Sequence, residues 1–342
     1  MMKIALDAMG GDFAPRENIE GALLAARLHG IPIVLVGDEK IIRQHLSRSR
    51  FSSDLIEIVH AAESIDMHER ATAAIRSRRQ TSMRVALELL KEKKVSAVIS
   101  PGHTGAFMAT SLLILGRFPG IERPAIAGYL PTLRGACVIL DLGANVECRI
   151  SHLLEFAIMG EVYARLIEKK DQPTIGLLSN GEEPSKGTAL LREAHEQFKS
   201  RFPTYLGFVE SKDIFKGKVD VVVCDGFIGN IFLKTTEGVI GAVYSLAKQD
   251  IQKNLFSKLI FGLFYLLFKN TIKNLGRRFD YAEYGAAPLL GLDGLVFVCH
   301  GRSSGKAIKN AILTARKSVE EHLLENLKVE VMKHSQTKSE AT

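Results

Sequence analysis

Short runs of β-branched and other apolar residues alternate along the chain with longer segments whose apolar positions recur every three or four residues. The runs are KIALDA (3–8), PIVLVG (32–37), LIEIVH (55–60), VSAVIS (95–100), ACVILDL (136–142), TIGLLS (174–179), TYLGFV (204–209), VDVVVCD (219–225) and LVFVCH (295–300). Several are apolar throughout, as expected of parallel strands buried on both faces. Helical patterns fill the intervals, for example 155–169 and 186–199. Such alternation predicts an open α/β sheet covered by helices. No repeat and no clear linker divides residues 1–330, so they are expected to form one domain. Residues 331–342 turn polar and are expected to fray.

One stretch breaks the alternation. From Leu255 to Phe268 the chain reads LFSKLIFGLFYLLF, and seven Lys and Arg stand between Lys248 and Asp280 against Asp250 and Asp280. A membrane-spanning helix needs about 20 apolar residues, and this run is shorter and contains Lys258. At 100° per residue, Asn254, Lys258, Gly262, Tyr265, Lys269 and Lys273 share one helical face, while Leu255, Leu259, Leu263, Leu266 and Leu267 lie away from it. One apolar and one cationic face suit a helix lying in the headgroup plane of an anionic bilayer. A buried or dimer-interface helix has the same length and pattern. The two readings are compatible if residues 250–278 project from a dimer.

Composition narrows the field. The chain has 342 residues, 46% hydrophobic, and a net charge of +7, most of it beside the greasy run. That charge comes without the aromatic–basic interleaving of a nucleic-acid surface, so no nucleic acid is expected. The N-terminus enters a strand directly and lacks a cleavable apolar region. Cys137, Cys148, Cys224 and Cys299 show neither C-x-x-C nor zinc spacing. Together these features predict a cytoplasmic protein with reduced thiols, associated peripherally with the membrane.

The informative pattern is how the strands end. Six run into small, polar turns: LDAMGGD (6–12), SPGHTGA (100–106), LDLGANV (140–146), LLSNGEEPSKG (177–187), VCDGFIGN (223–230) and VCHGRSSGK (298–306). Open α/β sheets bind ligands at the carboxyl ends of their strands. Glycines admit backbone N–H groups there, and the helix N-termini that follow favour anions. Six such turns at one edge predict a sizeable anionic site. Familiar alternatives are missing: there is no G-x-G-x-x-G after the first strand, no G-x-S-x-G and no H-E-x-x-H. GRSSGK (301–306) is one residue short of a phosphate loop and has Ala307 where that loop needs Ser or Thr. Neither a cofactor nor a metal is expected.

Lys186, after a Gly-Glu-Glu turn and at an expected helix start, suits phosphate as a point charge. His103, between Gly102 and Thr104, suits a phosphate contact or an acid. Asp7, Asp141 and Asp225, each after an apolar run, suit helix capping and the orientation of basic groups. Cys299–His300 resembles a nucleophile pair, against which stands the usual burial of free thiols.

In their order, these turns resemble those of the bacterial acyl-ACP:phosphate acyltransferase (PlsX) family, from LDAMGGD to YAEYGAAPLLGLDGLVFVCHG at 281–301. The family pattern commonly reads Ser-Ala-Gly-Asn where this chain has Ser100, Pro101, Gly102 and His103, and a second Gly where it has Ala286. The resemblance implies a Rossmann-like α/β/α sandwich with a mostly parallel sheet, related to phosphotransacetylase and isocitrate-dehydrogenase-like folds. It implies a homodimer at the membrane that converts acyl-acyl carrier protein and phosphate to acyl phosphate, for a downstream membrane acyltransferase in phospholipid synthesis. The expected catalytic residues are Lys186, Asn180, Asn230 and His103. The expected substrate-binding residues are Asp7, Gly10, Gly11, Gly102, Thr104, Gly105, Asp141, Asn145, Asp225 and His300. Arg76, Arg78, Arg79 and Arg84 form a basic cluster suited to an acidic carrier protein. Two other readings stand beside this one: a short-chain phosphate acyltransferase using acyl-coenzyme A, and a non-catalytic membrane scaffold.

Overall fold

The structure is a computed structural model that describes residues 2–48, 54–67, 69, 79–253, 266, 268–271, 276 and 280–340. Its strands form two sheets where the sequence suggested one. The first contains seven strands in the order β3 (Ile56–His60), β2 (Ile33–Gly37), β1 (Ile4–Asp7), β4 (Ala97–Ser100), β12 (Leu295–Val298), β11 (Ala287–Leu290) and β5 (Ala125–Ile126). The second runs β6 (Gly128–Thr132), β7 (Gly135–Leu140), β10 (Val221–Val223), β8 (Ile175–Leu178) and β9 (Tyr205–Val209). Pairing is parallel except at β12–β11, β11–β5 and β6–β7. All nine strands expected from the sequence are present. β5, β6 and β11 are additional, and all of them make antiparallel pairs.

These additions explain the second sheet. The chain leaves the first sheet through β5 and one residue later enters β6, the edge strand of the second. Pro131 sits within that edge strand, where a missing N–H costs least. One apolar cluster nevertheless runs through both sheets, from Leu6 and Phe297 in the first to Leu140 and Val223 in the second.

Helices cover both sheets. α1 (Arg16–His29), α2 (Glu39–Ser47), α3 (Ser82–Lys91) and α4 (Thr104–Leu115) follow the early strands. α5 (Ile150–Ile167) is the most buried, with Phe156, Met159 and Tyr163 fully enclosed. Then come α6 (Ala189–Arg201), α7 (Ser211–Lys216), α8 (Gly226–Gln252), α9 (Tyr281–Tyr284), α10 (Gly305–Glu320) and α11 (Leu323–Glu340). α11 continues to Glu340, Val331 is 2% exposed in the core, and the His334 ring lies 5.7 Å from that of Phe202.

α8 behaves differently from the rest. Of its 27 residues only Gly226 and Gly229 are buried, and Ile231, Val239, Val243 and Leu246 are exposed. It leads into the greasy run. Leu255, Leu259, Leu263 and Leu267 lie outside the described residues, while Leu266 is described and is 72% exposed. Among the described residues no helix is long and apolar enough to cross a membrane.

α1 and α10 approach so closely that a Cβ on Gly21 would lie 2.5 Å from Ile308 Cβ and 2.8 Å from the Gly305 carbonyl oxygen. Ala is about 1 kcal/mol better than Gly in a helix, but overpacking costs about 1–3 kcal/mol. Gly21→Ala is therefore expected to lower the urea midpoint. A raised midpoint would show that the two helices can separate without loss.

Candidate active site

The turns after β1, β4 and β12 interlock. Asp7, at the end of β1, is fully buried and accepts hydrogen bonds from Ser100 Oγ at 2.7 Å and Met9 N at 3.1 Å. Ser100 Oγ in turn accepts from Gly102 N at 3.0 Å. A side chain at Gly10 would collide with Asp7 Oδ2 at 2.6 Å and Gly102 N at 2.7 Å. Gly11 holds φ at +90°, and a Cβ there would lie 2.9 Å from the Gly301 oxygen. Asp12 N donates to that same oxygen at 2.8 Å. Asn18 Nδ2, which no motif marked, ties the first turn down by donating to the carbonyls of Ala8 and Gly10 at 3.0 and 2.9 Å.

Two helices begin at this cluster. His103 caps α4 by accepting from Ala106 N through Nδ1 at 3.3 Å, which leaves its proton on Nε2. Thr104 is the first residue of that helix, and a Cβ on Gly105 would lie 3.3 Å from the His103 ring. Ser304 caps α10 through Ala307 N, and Glu17 Oε2 accepts from Gly305 N at 2.7 Å. Beside them Ser303 is 3% exposed, and its Oγ has no hydrogen-bond partner. His300 Nδ1 accepts from Arg302 N at 3.1 Å. Burial pushes the Cys299 thiol well up, so Cys299 and His300 do not form a nucleophile pair.

The second sheet repeats the construction. Asp141, at the end of β7, is fully buried. Its Oδ1 accepts from Ile126 N, Gly143 N and Ala144 N at 3.0, 3.2 and 3.1 Å; its Oδ2 accepts from Asn145 N and Nδ2 at 2.6 and 3.0 Å. Burial raises the pKa of both Asp7 and Asp141, and their hydrogen bonds oppose that shift. Gly226 presses on Asp141 so closely that a Cβ would meet Oδ2 at 2.6 Å, and Gly226 N donates to the Asn145 oxygen at 2.7 Å. Asp225 caps α8 through Ile228 N at 2.8 Å. Asn230, one turn into α8, lies against Gly143, whose φ is +126°.

The predicted residues therefore form groups. Asp7, Gly10, Gly11, Gly102, His103 and His300 gather on the first sheet, and Asp141, Asn145, Asp225 and Asn230 on the second. Asp7 and Asp141, expected among the substrate-binding residues and suited to positioning, are enclosed, and their oxygens accept hydrogen bonds from the turns. Asn145 likewise spends its amide on the Pro124 oxygen at 2.8 Å and on Asp141. Lys186 and Asn180 stand in a third loop. Asn180 Oδ1 accepts from Gly187 N at 3.0 Å, and the stem of Lys186 folds over Gly181. Lys186 is exposed and precedes its helix, which starts at Ala189 with Thr188 as cap. Of the basic cluster, Arg76 and Arg78 lie outside the described residues, Arg79 is exposed, and Arg84 pairs with Glu88 at 3.0 Å.

Among the described residues, the carboxylates of Glu182, Glu210 and Asp213 come together at metal-ligand spacing. Lys218 already lies 2.7 Å from Asp213, and Lys212 pairs with Glu210. A separate cavity of about 870 Å³ opens between the end of α4 and the start of α5, lined in part by Arg117, Arg123, Arg149 and His152. It contains none of the predicted residues. It is linked to them through Asn145, which donates to the Pro124 oxygen and whose own carbonyl oxygen lies 3.8 Å from Cys148 Sγ.

Replacing Asp141 with Asn would turn an amide NH₂ toward backbone N–H donors. A hydrogen bond to a charged group contributes about 1.5–3 kcal/mol, so Asp141→Asn is expected to cost about 3 kcal/mol in urea unfolding. A cost below about 1 kcal/mol would mean that the turn does not need the carboxylate.

Comparison with known proteins fits this geometry. Residues 2–326 match the family model described as "Fatty acid synthesis protein". The chain is 50% identical over 330 residues to a phosphate acyltransferase of Pelobacter propionicus, covering 95% of this chain and 94% of that one. It is 48% identical over 339 residues to the phosphate acyltransferase of Geobacter sulfurreducens, with 98% and 97% covered. In fold it is similar to a phosphotransacetylase from Streptococcus pyogenes, with a TM-score of 0.60 at 18% identity, covering 93% of this chain and 94% of the other. A 4-hydroxythreonine-4-phosphate dehydrogenase from Klebsiella pneumoniae gives a TM-score of 0.51 at 15% identity, with 94% and 99% covered.

Proposed function

The chain belongs to the phosphate acyltransferase family of fatty acid synthesis proteins, and from that premise we propose that its acyl donor is a long-chain acyl thioester of acyl carrier protein. A phosphate oxygen attacks the thioester carbon, the carbon–sulfur bond breaks, and the thiolate leaves and takes up a proton. The products are acyl phosphate and free carrier protein. Phosphate is already an anionic nucleophile at neutral pH, and a thiol of pKa about 8.5 leaves readily. The enzyme then has to orient phosphate, offset its charge and donate hydrogen bonds to the developing oxyanion.

The observation that carries this reading is the meeting at Gly11 of the turns that lead into α4 and α10, with Ser303 Oγ, in the second of these turns, buried and without a partner. Helix N-termini and free hydroxyls suit an oxyanion. Gly102, Thr104 and Gly105 take the phosphate together with the exposed Lys186. Asn180 or Asn230 faces the carbonyl, and His103 offers an Nε2–H. The buried cysteines take no part, since burial raises their pKa.

The same reading places the protein in the cytoplasm, against an anionic membrane and as a homodimer. The exposed stripe of Val239, Val243 and Leu246 on α8 supports both contacts, because it leads directly into the amphipathic run. Acyl phosphate is amphipathic and hydrolytically labile, so making it at the bilayer delivers it to a membrane acyltransferase. The short-chain alternative would need no such surface.

Release of free thiol from palmitoyl-acyl carrier protein, with and without phosphate, tests the activity. Phosphate-dependent release with acyl phosphate formed is expected. Release only from acetyl- or butyryl-coenzyme A would favour the short-chain reading, and no turnover would favour a scaffold. Lys186→Ala should raise the phosphate KM about tenfold or more, as loss of a charged hydrogen bond does; an unchanged KM removes Lys186 from the site. Leu263→Glu should abolish binding to anionic liposomes, and Val243→Asp with Leu246→Asp should yield a monomer in light scattering. Retained binding or a retained dimer would overturn the corresponding contact.

A further inference from the structure

The cavity between α4 and α5 carries a charge pattern that the turns do not explain. Its walls contribute Arg117, Arg123 and Arg149 against Glu122 and Glu147. All three arginines are exposed, and among the described residues none has a carboxylate within ion-pair distance. Arg117 donates to the carbonyl oxygen of Glu122. The Glu122 carboxylate is already engaged by His152 Nε2 at 3.1 Å and Ser151 Oγ at 3.3 Å. Since His152 Nδ1 accepts from Arg149 N at 3.1 Å, its proton sits on Nε2 and points to Glu122. Burial keeps the His152 pKa below the ordinary value, so the imidazole is neutral at pH 7. Positive charge is left over, and it faces a cavity.

The wall is also fixed in place. Glu122 N donates to Glu155 Oε2 at 2.8 Å, which ties the loop 116–124 to α5. Asn145 Nδ2 holds the Pro124 oxygen and the Asp141 carboxylate at once, so the cavity and the second-sheet turn share a wall. Cys148, which lines the cavity, lies 3.8 Å from the Asn145 oxygen. Guanidinium forks match phosphate oxygens in pairs. A bare phosphate ion would leave most of about 870 Å³ empty, whereas a volume between about 300 and 1,000 Å³ suits an organic ligand.

We propose that Arg117, Arg123 and Arg149 bind the phosphate ester of the acyl donor's pantetheine arm, so that this cavity seats the arm beside the Asp141 turn. The inference rests on the acyl-thioester reading above. The ligand chemistry, a phosphate group, has a second source in the free phosphate co-substrate, which the size of the cavity disfavours.

The test is calorimetric titration of the full-length protein with 4′-phosphopantetheine, pantetheine and inorganic phosphate. The phosphorylated arm should bind about tenfold or more tighter than pantetheine, as charge-assisted bonds to phosphate imply. That difference should vanish in the Arg123→Gln/Arg149→Gln double variant and persist in part in Arg149→Lys, which keeps the charge and loses the fork. The arginines are surface residues, so the variants should melt like the parent; Arg117→Gln is a second, independent variant. Equal affinity for both arms, or a difference untouched by the double variant, overturns the proposal. Loss of inorganic phosphate alone in the double variant would give these arginines to the free anion and overturn the ester. Binding is read without turnover, so a protein that binds the phosphorylated arm yet releases no thiol would refute the reading of function and leave the cavity assignment standing.

Discussion

Two buried carboxylates, Asp7 and Asp141, are the constraint on which the rest of the site depends. Burying a charged carboxylate is costly unless hydrogen bonds replace its water. Each sheet meets that demand in the same way. A strand ends in Leu-Asp, the chain turns back over the carboxylate, and backbone N–H groups of the turn donate to it. A glycine from a neighbouring strand end must then pack against the carboxylate: Gly102 approaches Asp7, and Gly226 approaches Asp141. Once the aspartates are satisfied, the turns have little freedom. The helix N-termini that follow are aimed by them.

The sequence made this arrangement legible in part. All nine strand runs were visible because each is a short stretch rich in β-branched and other apolar residues, several of them apolar throughout. β5, β6 and β11 were not, because two residues in β5 leave no period to read, and Gly128, Pro131 and Pro288 make the other two resemble loops. Missing them merged two sheets into one. The turn motifs marked the segments that pack together at the strand ends and could not reveal that Asp7 and Asp141 face inward, since an Asp that points to solvent and one that holds a turn share the same local sequence. The same limit applied to Lys186. Its Gly-Glu-Glu context resembled a helix start, but Thr188 is the better cap and α6 begins after it.

Other residues left no mark because their partners are remote in sequence. Glu17 caps a helix that starts at Gly305, and Arg117, Arg123 and Arg149 meet only because the loop 116–124 is bound to α5. Asn18 reaches back across a turn to two carbonyl groups. Motif reading detects contiguous chemistry, and these contacts depend on how the chain folds back.

α8 links the site to the surface. Its first turn supplies Asp225 to cap the helix and Gly226 to press on Asp141, so its start cannot move without disturbing the second-sheet turn. Its later turns have almost no contact with the body of the protein. Twenty-seven residues at about 1.5 Å each extend about 40 Å. Fully burying a Val or Leu side chain is worth about 1.5–3 kcal/mol, so leaving Val239, Val243 and Leu246 in water forgoes several kcal/mol. An isolated helix gains little to offset that, since most helical stability comes from packing its apolar face. A covering surface, whether a second copy or a lipid headgroup layer, would therefore stabilise the far end of the helix, while its near end stays fixed by the Asp141 turn. Any contact made by the far end of the helix would be joined to the geometry of the second-sheet turn through this one continuous element.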